Sequence, residues 1–126
     1  DYDDLNDYSV ACKLTYKGKT FLFTGDAEKA PELDMVSRYG DGLKCDVLKV
    51  GHHGSYTSTN KEFLSVVKPS YAVISCGINN DYEHPHVTLL KRIKGIDTYR
   101  TDLQGTIVFE TDGNEIKIST DGGTNK

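Results

Sequence analysis

Four histidines hold most of the chemistry available to this 126-residue chain, and they fall in two tight clusters. His52 and His53 lie in Lys49-Val50-Gly51-His52-His53-Gly54-Ser55, while His84 and His86 bracket Pro85 in Tyr82-Glu83-His84-Pro85-His86. Imidazole titrates near neutral pH, moves protons and ligates metals. Glycines on both sides of the first pair let the backbone turn tightly and let a ligand come close. Asp26, in Thr24-Gly25-Asp26-Ala27-Glu28, adds a carboxylate. It reads either as a helix N-cap, with Glu28 placed for the helix dipole, or as a metal ligand aimed out of a sheet edge. With His52 it makes an oxygen and nitrogen donor pair that suits zinc or manganese.

The neighbours of that pair have two readings each. His53 turns to a substrate oxygen or is a hydrogen-bonded structural imidazole. Ser55 donates to a phosphate oxygen or caps the loop. His84 and His86 stabilise a leaving oxygen or act as general acids, or they are surface residues where a helix begins. Asn6, with Asp7 and Ser9, precedes the first strand and can reach the same place. Tyr82, Tyr99, Arg100 and Asp102 read as packing or turn residues.

Elements must then position these groups. Alternation over Ser9–Tyr16 and over Thr20–Thr24, joined at Lys17-Gly18-Lys19, predicts a β-hairpin. Glu32–Tyr39 has helical spacing, with Leu33, Met35 and Val36 on one face and Gly40 as its stop. The apolar run Asp46–Val50 predicts a buried strand that delivers the histidine loop. Thr59-Asn60 can cap a helix carrying Phe63, Leu64, Val66 and Val67, which Pro69 ends. Ser70–Cys76 reads as another buried strand, Gly77–His86 as a polar loop and Thr88–Lys94 as a short helix with Pro85 at its opening turn. Thr98–Arg100, a turn over Thr101–Gly105 and a hairpin of Thr106–Thr111 with Glu115–Ser119 complete the series. Residues 120–126 read as a frayed tail.

Length predicts one domain over residues 1–126. A strand hairpin, β-α alternation and a closing hairpin predict an α/β layered fold. No apolar run approaches the roughly 20 residues that span a bilayer. The net charge of −4 excludes a generally basic, nucleic-acid-coating surface. Cys12, Cys45 and Cys76 show no zinc-ligand spacing and read as buried free thiols.

In order, the runs Asn6-Asp7-Tyr8-Ser9, Phe21 to Glu28, Asp46 to Ser55, Asn80 to His86 and Tyr99-Arg100-Thr101-Asp102 resemble the C-terminal half of metallo-β-lactamase-fold hydrolases. Within them, the chain is most similar to the extracytoplasmic hydrolase domain of ComEC-type DNA-internalisation competence proteins and their stand-alone relatives. The resemblance spans about Asn6 to Glu110. It implies the C-terminal half of a four-layer αββα fold with a dinuclear metal site at the sheet edges. On that likeness Asp26 is the metal-bridging aspartate and His52 the last metal-ligand histidine. His53, His84 and His86 become catalytic candidates beside the substrate phosphate, and Ser55 and Asn6 substrate-binding ones. Asn6 stands where many relatives carry a metal-binding histidine, and Glu83 where the subgroup has glycine.

The likeness also implies a His-x-(Asp/His)-x-Asp-His run upstream, which these 126 residues do not contain. The expectation is a single partial domain of a longer protein, inactive and weakly metal-binding by itself. Its exposed inner sheet face should be covered by the missing N-terminal half or by a second copy. The whole protein is expected to be a zinc- or manganese-dependent phosphodiesterase or nuclease acting on a DNA strand during competence-related uptake. It would work at the extracytoplasmic face of a bacterial membrane, which it contacts only through parts absent here. The alternatives are a stand-alone cytoplasmic or secreted phosphodiesterase or phosphocholine-esterase-like hydrolase, and a non-catalytic module that docks DNA or a protein partner.

Overall fold

The computed structural model describes residues 1–122. Two strands, β1 (Cys12–Tyr16) and β2 (Lys19–Phe23), form the expected antiparallel hairpin. Helix α1 (Lys29–Tyr39) leads to β3 (Val47–Lys49), α2 (Lys61–Val67) to β4 (Tyr71–Ile74), and α3 (Val87–Arg92) to β5 (Asp97–Arg100). A single turn, α4 (Thr101–Gln104), precedes the hairpin β6 (Ile107–Thr111) and β7 (Ile116–Thr120). Strands β1 to β5 form one sheet in sequence order, with β2 through β5 parallel, while β6 and β7 form a separate two-stranded sheet.

Period-two alternation decides which residues face which layer. Leu22, Leu48 and Ala72 stand in register on one face. There they pack with Leu43, Cys45, Phe63 and Val67 under α1 and α2, and with Val50, Ile74, Leu89 and Ile93 under α3. Burying each large side chain contributes roughly 1.5–3 kcal/mol. On the opposite face, Phe109 of the second hairpin meets Tyr71 edge-on at 5.8 Å and Tyr99 at 5.6 Å. The result is helices, a mixed five-stranded sheet and a small second sheet, the layering of part of an αββα fold. Leu14, Tyr16 and Phe23 on the inner face line an open cleft with Ile107 and Phe109 of the second hairpin and remain exposed.

Several elements depart from their expected form. Leu33 is exposed, because the buried spacing of α1 runs through Glu32, Met35 and Val36. Thr120 lies in β7, paired with Ile107, rather than in a tail. Residues 123–126 of that expected tail lie outside the described residues. All three cysteines are free, but only Cys45 is buried, since Cys12 lies on the edge strand β1. Among the described residues no helix is long and apolar enough to cross a membrane.

Candidate functional site

Parallel strands leave their C-terminal ends at one edge, so the segments after β2, β3 and β4 meet there. Asp26 follows β2 with its backbone N–H donated to Ser9 Oγ at 3.1 Å. Ser9 Oγ in turn donates to the Asn6 carbonyl at 2.6 Å. This stretch of chain before β1 therefore braces the aspartate through Asn6's backbone. Asp26 is not the N-cap of α1; that position belongs to Glu28, whose side chain makes no cap bond.

His52 and His53 follow β3 in a four-residue turn, Gly51–Gly54, and both occupy the left-handed region, with φ of 51° and 55°. Two successive non-glycine residues there cost of order 1–3 kcal/mol each, the kind of strain that gathers at functional sites. The turn is pinned by His52 N–H to the Gly25 carbonyl, 2.9 Å, which ties the histidine loop to the aspartate loop. The same geometry makes the two rings diverge. His53 Nδ1 donates to the Ser75 carbonyl at 2.8 Å, and its Nε2 lies 3.9 Å from Asp26 Oδ1. His52 Nδ1 lies 3.3 Å from Glu28 Oε2. Its ring meets that of His84 edge-on at 5.8 Å.

The second histidine pair splits as well. Burial lowers His84 below the ordinary imidazole value, with His52, His53 and His86 acting in the same direction. His84 thus belongs to the cluster. His86 caps α3: its Nδ1 accepts the Thr88 N–H at 3.1 Å, and its ring packs on Tyr56 at 5.0 Å. Helix α3 begins at Val87, so Pro85 precedes the cap instead of occupying the first turn. Glu83 holds φ of +56°, a conformation that favours glycine. Tyr82, expected to pack, is 79% exposed and stacks on His84 at 5.6 Å. Ser55 is buried, its hydroxyl paired with Thr57 Oγ1 at 2.8 Å.

Three neighbours escaped the sequence reading. Glu28 stands behind His52. Thr57 Oγ1 donates to Glu28 Oε2. Lys49 points from β3 to the inner face beside this edge; burial lowers its pKa, while the Asp26 charge raises it. Glu28 carried a faint signal, two residues after Asp26, but Thr57 and Lys49 carried none that separates them from surface residues.

As a metal centre the cluster is partial. Asp26 and His53 bring an oxygen and a nitrogen to the same spot, and a histidine whose other ring nitrogen is held by a carbonyl has the usual posture of a ligand. Among the described residues, however, no three His, Cys, Asp or Glu side chains converge to hold an ion.

Fold and site together define a class. The family model of the metallo-beta-lactamase superfamily matches residues 2–78, and the chain belongs to that superfamily, whose members are generally hydrolases. More particularly, the chain is similar to three curated bacterial proteins. It is 41% identical over 106 residues to ComE operon protein 3 of Bacillus subtilis, covering 82% of this chain and 14% of that one. It is 41% identical over 108 residues to Competence protein ComA of Neisseria gonorrhoeae, covering 84% and 16%. It is 37% identical over 103 residues to Recombination protein 2 of Haemophilus influenzae, covering 82% and 12%. The chain thus spans only a small part of the length of these relatives.

Proposed function

We propose that this chain is part of a metal-dependent phosphodiesterase that cuts a DNA strand during competence-related uptake. The observation that carries the reading is the 3.9 Å approach of His53 Nε2 to Asp26 Oδ1, from loops that follow adjacent parallel strands. We assign the two as joint donors to a divalent cation, zinc or manganese, within a dinuclear site. His52, matched to that role by resemblance, sits beside them against Glu28 and His84 and serves the phosphate side. When bound, the cations supply Lewis-acid polarisation of a phosphoryl oxygen.

The chain's own groups do the rest. His84 and His52 line the place where a phosphate and its leaving oxygen sit, within reach to donate or accept a proton. Lys49 adds positive charge at the inner side of the same edge. The exposed rings of Tyr82 and Tyr56 offer faces on which bases stack. His86 supports this wall as a cap and Ser55 through Thr57. The remaining ligands come from a part of the protein outside these residues, which also covers Leu14, Tyr16 and Phe23. In this reading the whole protein works at the extracytoplasmic face of a bacterial membrane, and the competence name carried by a relative supports the DNA-uptake part of it.

The test uses the full-length protein, with bound metal measured by elemental analysis and hydrolysis followed on single-stranded DNA and on bis(p-nitrophenyl) phosphate. Asp26→Ala and His53→Ala should lose both cation and hydrolysis. His52→Ala should keep most of the cation and lose rate. A wild-type protein with neither cation nor hydrolysis would overturn the proposal and leave a docking module. The isolated 126-residue chain should hold metal weakly and hydrolyse neither substrate.

A further inference from the structure

Glu28 is held from three sides. Its backbone N–H donates to the buried Asp7 at 2.9 Å. Thr57 Oγ1 donates to its Oε2. That same oxygen lies 3.3 Å from His52 Nδ1, an atom shut off from solvent and without an aligned hydrogen-bond partner as the ring stands. A carboxylate offers only lone pairs, whereas a neutral imidazole carries one N–H and one bare nitrogen. If Nδ1 were the bare nitrogen, its lone pair would sit 3.3 Å from a carboxylate oxygen, with Nδ1 itself closed to water. A proton on Nδ1 turns the contact into an attraction.

We propose that Glu28 is the positioning residue for His52. It holds the neutral ring as the Nδ1–H tautomer and so leaves Nε2 as the lone pair available on the side shared with His84. Thr57, paired with Ser55, and Asp7 keep the carboxylate in place. The chemical consequence rests on the phosphodiesterase reading above: His52 meets its substrate as a proton acceptor, not as a donor, until it has taken up a proton. The tautomer itself does not depend on that reading.

Long-range ¹H–¹⁵N spectra of the metal-free, ¹⁵N-labelled protein, at a pH where imidazole is neutral, report which ring nitrogen carries the proton. Wild-type His52 should show a protonated Nδ1 and a bare Nε2. Glu28→Ala should shift it toward the Nε2–H form, and Glu28→Gln, which keeps an acceptor oxygen, should retain Nδ1–H. In the full-length enzyme Glu28→Ala should lower turnover roughly 10- to 100-fold, taking the loss seen for carboxylates behind metal-bound imidazoles as the scale, with Glu28→Gln in between. A wild-type ring in the Nε2–H form, or a folded Glu28→Ala with an unchanged tautomer, would overturn the proposal. If Glu28→Ala does not fold, the wild-type spectrum still decides. A correct tautomer in a full-length, metal-loaded protein without hydrolysis would retire the phosphodiesterase reading and leave this one standing.

Discussion

Gly54 is pressed against Pro85: a Cβ built on Gly54 would meet Pro85 Cβ at 2.7 Å and its Cα at 2.9 Å. This contact, with His86 N–H donating to the Gly54 carbonyl at 2.9 Å, joins the two histidine clusters. Gly54 also holds φ of +89°, where a side chain is strained whatever the space.

Gly54→Ala should therefore destabilise the fold by about 2–5 kcal/mol, from backbone strain plus overpacking. Urea unfolding measures it. Because Pro85 must retreat, the His84 ring should also shift, visible as a changed His84 imidazole spectrum. Full stability in Gly54→Ala would show that the two loops yield more easily than their contact implies.

Glu32 is fully buried in α1, where it accepts the Thr59 N–H at 2.5 Å, the Asn60 N–H at 2.8 Å and Asn60 Nδ2 at 2.9 Å. Burial raises its carboxyl pKa, partly offset by those bonds and by Arg92. The native state then binds the proton more tightly than the unfolded chain. Its contribution to stability is greatest below the ordinary value of 4.5 and falls as pH rises through the raised native value. Glu32→Gln turns an amide N–H₂ toward N–H donors and should cost about 1–3 kcal/mol. Denaturant unfolding at several pH values should also lose that decline; an unchanged slope would exclude Glu32 as its source.

The three thiols should separate by reactivity. Cys12 is exposed. Burial and the Asp102 hydrogen bond push Cys76 up to about 11, and burial pushes Cys45 up to about 12. Since the thiolate is the nucleophile, the rise from 9.0 to about 11 leaves Cys76 about a hundredth of the ordinary thiolate fraction near neutral pH. Iodoacetamide followed by mass spectrometry should find Cys12 modified first, Cys76 slowly and Cys45 only after unfolding. Equal labelling of all three in the native protein would contradict this order.

Tyr82 tests the substrate. Base stacking on an aromatic ring contributes about 1–3 kcal/mol per base, so Tyr82→Ala in the full-length protein should lower kcat/KM on single-stranded DNA by roughly 5- to 150-fold. The loss on bis(p-nitrophenyl) phosphate should be much smaller. Equal losses on both substrates would assign Tyr82 to the support of His84 instead.

Layer order and strand sequence were legible because the core strands announce themselves. Val47, Leu48 and Val50 form a run buried on both sides, and Lys17-Gly18-Lys19 and Asp112-Gly113-Asn114 are strong turns. Asp26 and both histidine clusters stood out by residue type and spacing, and their loops do meet at one sheet edge. What stayed hidden was made of contacts between distant residues. Thr57 finds Glu28 from 29 positions away, and Asn60 finds Glu32 from 28. Helical spacing placed Leu33 inward because it could not foresee that Glu32 would take the buried position to clamp that loop. Nor could spacing tell which of two adjacent histidines faces the aspartate, since the left-handed turn that separates them depends on the strand register.

That register gives the molecule an internal proofreading step. β2 and β3 align Phe21 with Val47, Leu22 with Leu48 and Phe23 with Lys49, just ahead of Asp26 and His53. A slip of one residue would drive Leu48 out of the core and displace the carboxylate from the imidazole by about 3.3 Å. Misfolded copies would thus be disarmed as well as unstable, because one alignment sets both hydrophobic fit and reactive geometry.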